Sequence, residues 1–161
     1  MRETRRRSLE WLLVSLGALL LAGALTFGGP PAFRADQQAY NLLVVKKLHP
    51  ELFQRDLLYR HDPTLLHVPL VLNIQSALAR RLGGDPERAL LWLAWPIGAV
   101  YLVGHYTLFR AVSGSPAAAA LAALGALTVR NSWGGEFWGF DGSKSAATRT
   151  CLAGLTPLLL L

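Results

Sequence analysis

Residues 9–27 read LEWLLVSLGALLLAGALTF, nineteen positions in which Glu10 is the only charge. At about 1.5 Å per residue, a helix of this length roughly covers the 30 Å hydrocarbon layer of a bilayer. Ahead of it, MRETRRRS (1–8) sets Arg2, Arg5, Arg6 and Arg7 against Glu3. Basic residues beside an apolar run hold that end on the cytoplasmic side. A cleaved signal peptide begins in the same way. This run is longer than a usual signal core, and Gly28-Gly29-Pro30-Pro31 is a poor cleavage site. We therefore read residues 9–27 as an uncleaved first span with its N-terminus in the cytoplasm.

The rest of the chain reads outward from that span. Asp85-Pro86-Glu87 has the signature of a helix start: a capping acid, a proline at the first position and an acid in the first turn. Residues 89–110, apolar as far as Phe109 and closed by Arg110, follow as a second span. Ser113-Gly114-Ser115-Pro116 predicts a tight turn, so 111–116 is a cytoplasmic connection. Residues 117–129 form an alanine-rich third span whose small side chains suit close helix packing. After Arg149 a fourth apolar run begins and continues to Leu161. A chain seldom stops part-way through a span, so this sequence is expected to be the N-terminal part of a longer protein.

Between the spans lie two polar stretches, 28–88 and 130–148. Alternation from an inside N-terminus places both on the external face. In the first, Asp36 to Leu48 predicts an amphipathic helix, because Tyr40, Leu43, Val44 and Leu48 recur at steps of three and four. Pro50 breaks it, Glu51 to Tyr59 is a second short amphipathic piece, and Asp62-Pro63 is another stop. Thr64 to Leu82 starts apolar but carries His67, Asn73, Gln75, Arg80 and Arg81. Unpaired polar groups are costly in lipid, so we read a helix at the outer boundary, or packed on the spans, rather than a crossing. In the second stretch, Trp133, Trp138 and Phe140 resemble an interfacial aromatic belt.

The fold class predicted is therefore all-α: a polytopic transmembrane bundle of about three spans plus the start of a fourth, with amphipathic juxtamembrane helices in the first external loop. Composition agrees. Of 161 residues 52% are hydrophobic, and the formal charge is +6. A basic chain can partner nucleic acid or a membrane. The positives here sit at the ends of apolar blocks and not on one aromatic-rich basic face, which argues for a lipid bilayer and against nucleic acid. The single Cys151 allows neither a disulfide framework nor a cysteine zinc site. His49, His61, His67 and His105 lack metal-ligand spacing. His105 lies inside the second span, where an end-of-span hydrogen bond accounts for it. No metal site and no cofactor follow from the residues. Gly83-Gly84 and Gly134-Gly135 are loop glycines, not a phosphate cradle.

Both external stretches carry acids: Asp36, Glu51, Asp56 and Asp62 in the first, Glu136 and Asp141 in the second. With FRADQQAY (33–40) just after the first span, then HVPL (67–70) and ARRLGGDPERALLWLAWPIGAVYLVGHYTLFRAVSGSPAAAALAAL (79–124), the layout resembles the N-terminal portion of the C-type (GT-C) membrane glycosyltransferases. That superfamily includes protein mannosyltransferases and aminoarabinose transferases. Many members have a second acid beside the first; here Gln37 stands in that place. HPELFQRDLLY (49–59) and ATRTCLAGLTPLLLL (147–161) are similar to uncharacterised bacterial multi-span proteins allied to the same superfamily.

The resemblance implies transfer of a sugar from a polyprenyl-phosphate donor to an acceptor on the external face of a cell membrane, the bacterial inner membrane. It implies a carboxylate near the headgroup plane, and Asp36 is the first candidate for general base. Asp is equally a favoured helix cap at such a position, and the two roles are compatible. Asp141 and Glu136 are candidate supporting acids, of the kind that can also bind a divalent metal. Between Gly139 and Gly142, Asp141 also fits an ordinary turn. Arg34, Tyr40, Arg60 and Arg149 are candidate contacts for the donor phosphate, where an arginine fork binds two oxygens at once; the arginines also fit headgroup anchoring by snorkelling. Two rivals stand beside this reading: a transporter fragment, for which Pro96 would mark an interrupted span, and a non-catalytic multi-span protein.

Overall fold

A computed structural model describes residues 2–29, 35–55, 69–128 and 155–160. Among these residues the chain is all-helical. Helix α1 is Arg2–Phe27, α2 is Ala35–Leu48, a 3-10 turn covers Pro50–Phe53, α3 is Pro69–Arg81, α4 is Pro86–Ser113 and α5 is Pro116–Ala126. A short helical stretch follows at 155–159.

Two helices are long and apolar enough to cross a membrane, Thr4–Phe27 within α1 and the whole of α4. With 26 and 28 residues they extend about 39 and 42 Å. Helix α1 begins at Arg2, so the basic segment expected as a tail is its first two turns. Arginine is a good helix former, and nothing between Arg2 and Leu9 interrupts the helix. Helix α5, at 11 residues, extends about 16 Å, short of the span expected over 117–129. Gly125 and Leu124 carbonyls accept the N–H of Leu127, and the chain turns there.

Helix α4 is the centre of the structure. Its start matches the reading of Asp85-Pro86-Glu87: the Asp85 side chain accepts the N–H of Arg88 at 2.9 Å, with Pro86 in the first turn. It runs without a break through Pro96. It ends at Gly114, which adopts the left-handed φ of +67° that favours glycine, and whose N–H reaches the Arg110 carbonyl. Ser115 then caps α5 by accepting from Ala118. Helix α5 folds back onto α4 through Ala119, Ala123 and Ala126, which meet Tyr101, Tyr106 and Phe109. Small residues let the backbones approach. The Tyr101 hydroxyl donates to the Ala126 carbonyl at 3.1 Å, one of the helix-end acceptors that would otherwise lack a partner. Residues 155–160 lie against the other flank of α4. There a Cβ on Gly104 would stand 3.3 Å from Pro157, so the absence of a side chain permits the contact.

Helix α1 runs antiparallel to α4. Trp11 stacks edge-on against Tyr106 with ring centroids 5.7 Å apart. Near the middle, the Trp95 indole donates to the Leu19 carbonyl at 2.8 Å. At the far end Phe27 meets Trp92 and Trp95. The pair thus has aromatic groups at both ends. Trp11 and Phe27 are about 24 Å apart along α1, and Trp92 and Tyr106 about 21 Å along α4.

Helices α2 and α3 form a layer over the start of α4. The face predicted for α2 is the buried one: Leu43 and Val44 are in the core with Leu72, Ala79 and Ala89, and Tyr40 and Leu48 pack on its edge. Leu43, Val44 and Leu72 each contribute about 1.5–3 kcal/mol on burial from water. Of the piece predicted over 51–59, the described part is the 3-10 turn, which buries nothing; residues 56–59 lie outside the described residues. Helix α3 starts at Pro69, well suited to a first helical position, and buries Leu72, Gln75, Ser76 and Ala79. It is packed on its neighbours, one of the two arrangements expected for 64–82, and at 13 residues it is too short to cross. Gly83 and Gly84, both at positive φ, close it: the Gly84 N–H reaches back to the Ala79 carbonyl.

Candidate functional site

Asp36 lies in the first turn of α2, one residue inside the helix. Tyr40 is one turn further along and is half-buried against Leu43, Val44, Leu72, Ala79 and Ala89. The two positions share one helix, and that helix sits on the start of α4. Arg34, Arg60, Glu136, Asp141 and Arg149 lie outside the described residues, as does the whole of the polar stretch 130–148. Of the residues predicted for the site, the described structure therefore brings together Asp36 and Tyr40, through α2.

The layer that holds α2 has a polar interior that the sequence reading did not single out. Gln75 of α3 is fully buried. Its Nε2 donates to Asn41 Oδ1 at 2.8 Å and to the Pro86 carbonyl at 3.1 Å. One amide thus ties α2, α3 and the start of α4 together. Its Oε1 is buried without a hydrogen-bond partner among the described residues. Ser76 beside it donates to the Leu72 carbonyl, and Lys47 donates to Asn73 across the α2–α3 seam. The signal was present in outline: Leu72, Gln75, Ser76 and Ala79 follow the helical period, so a buried face for this helix requires a buried glutamine.

The second polar cluster joins α1 to the other end of α4. Glu10 Oε1 accepts from the Tyr106 hydroxyl at 2.5 Å and from Arg110 Nε at 3.0 Å. The carboxylate and guanidinium side chains keep 21% and 30% of their surface exposed. Arg110 also donates to the Gly114 carbonyl, so the same side chain grips the α4–α5 turn. Glu10 stands out in the sequence as the one charge of its run, and Arg110 as the end of the next. Their pairing follows from antiparallel helices, which put the start of one beside the end of the other.

His105 is accounted for within α4. Its Nδ1 faces the Tyr101 carbonyl at 2.9 Å, and its ring lies 4.1 Å from that of Tyr101; before a carbonyl, that nitrogen carries the proton. Among the described residues no three His, Cys, Asp or Glu side chains gather as a metal site. No protein-family model, curated protein or solved structure matches the chain.

Proposed function

We propose that the chain is part of a multi-span protein of a cell membrane, and that it serves transfer of a sugar from a polyprenyl-phosphate donor to an acceptor on the external face. In this reading α1 and α4 cross the bilayer as an antiparallel pair. Their apolar exteriors support it: Leu12, Leu13, Leu16 and Leu20 of α1 are exposed, as lipid-facing residues are. Trp11, Phe27 and Trp92, all partly exposed, lie toward the two ends of the pair, the part of a span in which interfacial aromatic residues are enriched. The end carrying Arg5, Arg6, Arg7 and Arg110 is cytoplasmic, and the α2–α3 layer is external. Helix α5, which ends at Ala126, folds back on α4 as a shorter apolar helix within the same bilayer.

The observation that carries the functional reading is the seating of α2. Through Leu43 and Val44 it packs on Ala89, one turn from Trp92 and the Phe27 cluster. Asp36 lies in the first turn of the same helix, about 10 Å along its axis from that contact, and in this reading it stands near the level of the headgroups, where a polyprenyl-phosphate sugar lies. There Asp36 takes the proton of the acceptor hydroxyl as that oxygen attacks the anomeric carbon, and the lipid phosphate leaves with the bonding pair.

The test is Asp36→Asn in the full-length protein, with loss of lipid-linked sugar consumption as the readout. A drop of roughly 100-fold or more at normal membrane expression is expected for a lost general base. Unchanged turnover removes Asp36 from the chemistry. Topology is tested separately with a phosphatase reporter, active when fused after Asp62 and inactive after Ser113. The reverse pattern overturns the external placement of the α2–α3 layer.

A further inference from the structure

Helix α3 has an outer face as distinct as its inner one. With Leu72, Gln75, Ser76 and Ala79 buried, the stripe Leu70, Ile74, Ala77 and Arg81 is left exposed, at steps of four, three and four along one helix face. Leu70 and Ile74 are 70% and 44% exposed, large apolar side chains with nothing over them among the described residues. Arg80 and Arg81 fill the last turn, and neither has an ion-pair partner among the described residues. They do not have to satisfy the end of their own helix, because the Gly84 N–H already bonds the Ala79 carbonyl there. No acid occurs anywhere in α3. Two chemistries therefore follow one another on a single stripe: apolar through Ala77, cationic in the last turn. Leu70 and Arg81 are about 16 Å apart along the axis.

We infer that this stripe is a docking face for anionic phospholipid. Leu70 and Ile74 enter the acyl boundary, and Arg80 and Arg81 bind lipid phosphate oxygens. Charge complementarity and position select this occupant. The inner face of α3 packs on the start of α4, where Gln75 reaches the Pro86 carbonyl, about 9 Å along the axis outside Trp92, and on the placement proposed above this sets the stripe at the boundary of the bilayer. An arginine fork pairs with two phosphate oxygens at once, and its stem lies on apolar surface while the head stays at the boundary. The helix is accordingly tilted, its Pro69 end deeper than its Arg81 end. The contact fixes the height of the α2–α3 layer above the bilayer. This inference rests on the membrane placement proposed above, and not on the transferase chemistry.

Single spin labels test it in the full chain with Cys151→Ser. They are placed at Leu70, Ile74, Leu16 of α1 and Gln54 beside the 3-10 turn, with the protein in vesicles of phosphatidylcholine with and without phosphatidylglycerol. Labels at 70 and 74 are expected to relax with oxygen, as the one at 16 does, and the label at 54 with a water-soluble nickel chelate. In the unlabelled chain, Arg80→Gln/Arg81→Gln is expected to lower the preference for bound phosphatidylglycerol over phosphatidylcholine roughly tenfold, read by native mass spectrometry. If 70 and 74 respond like 54 while 16 stays in lipid, the docking face is overturned and the membrane reading stands. If 16 also responds to nickel, both fall. An unchanged lipid preference in the double variant overturns the phosphate contact.

Discussion

The two ends of α4 are fastened by different chemistry. At the Arg110 end, a carboxylate, a phenol and a guanidinium hold α1, α4 and the following turn, and water still reaches the ions. At the Pro86 end, the fastening group is Gln75, fully buried and neutral, with Asn41 and the Pro86 carbonyl as partners. The difference follows from solvation. An ion that keeps part of its hydration at a boundary loses little by pairing. One sealed inside a packed layer loses several kcal/mol, which its partner repays only in ideal geometry. A buried amide costs far less to desolvate and still joins three segments. Charge thus serves where water remains, and neutral donors serve where it is gone.

The sharpest way to break the comparison is at the buried end. Gln75→Leu leaves the Asn41 Oδ1 without its donor, while the Pro86 carbonyl, at the start of α4, keeps its place in the helix ladder. We expect a loss of about 2 kcal/mol, the cost of one stranded polar group and of the lost tie to α4, less the relief of the unpartnered Oε1. Thermal unfolding in detergent measures it. Asn41→Leu/Gln75→Leu should lose clearly less than the sum of the two single variants, because removing both partners leaves fewer polar atoms stranded. Strict additivity would mean that the amide pair is not a coupled unit.

At the charged end, Glu10→Gln and Arg110→Gln should each lower the unfolding midpoint, and the reversal Glu10→Arg/Arg110→Glu should restore part of it. Added salt should narrow the gap between wild type and these variants in part, since water still reaches this half-buried pair and screens it. It should leave the gap for Gln75→Leu unchanged. Equal salt dependence at the two ends would erase the distinction between them.

How much of this was legible in the sequence depends on whether the cause is local. The cap at Asp85, the Gly114 turn and the buried face of α2 depend on neighbours in the chain, and their patterns can be read directly. The alanine face of α5 was legible for the same reason, but its length was not. Hydropathy marks where a helix can continue, while the hydrogen bonds at Leu127 decide where this one turns. The Glu10–Arg110 pair and the Gln75–Asn41 bond join residues far apart in sequence, and each appears only when two helices are packed together. For the candidate site, the packing of Tyr40 on α2 followed from periodicity; the helix start expected at Asp36 lies one residue earlier, at Ala35, and the amide that ties α2 to α4 did not follow from the pattern.

Between the two ends, the contact of Gly23 with Trp95 tests whether the helices are held by packing as well. A Cβ at position 23 would stand 3.2 Å from the indole Nε1, the atom that donates to Leu19. Gly23→Ala should push the indole away by a few tenths of an ångström, lengthen that bond and cost about 1 kcal/mol. A shift in tryptophan emission should accompany it. A neutral or stabilising result would show that the indole yields freely and that the two ends alone hold the pair.

The smallest effect is the most discriminating. Asp85 carries a charge at the end whose buried fastening is neutral, and it has two partners. Its side chain caps α4 through the Arg88 N–H at 2.9 Å, and it lies 3.6 Å from the Arg88 guanidinium in an exposed pair. If the neutral logic of this end is right, the cap matters and the charge does not. Asp85→Ala should then cost about 1 kcal/mol, while Asp85→Asn should stay within a few tenths of wild type, because asparagine caps a helix as well as aspartate and an exposed ion pair contributes little. A loss for Asp85→Asn equal to that for Asp85→Ala, and shrinking with salt, would place charge among the forces at both ends of α4. The contrast between them would then be one of burial alone.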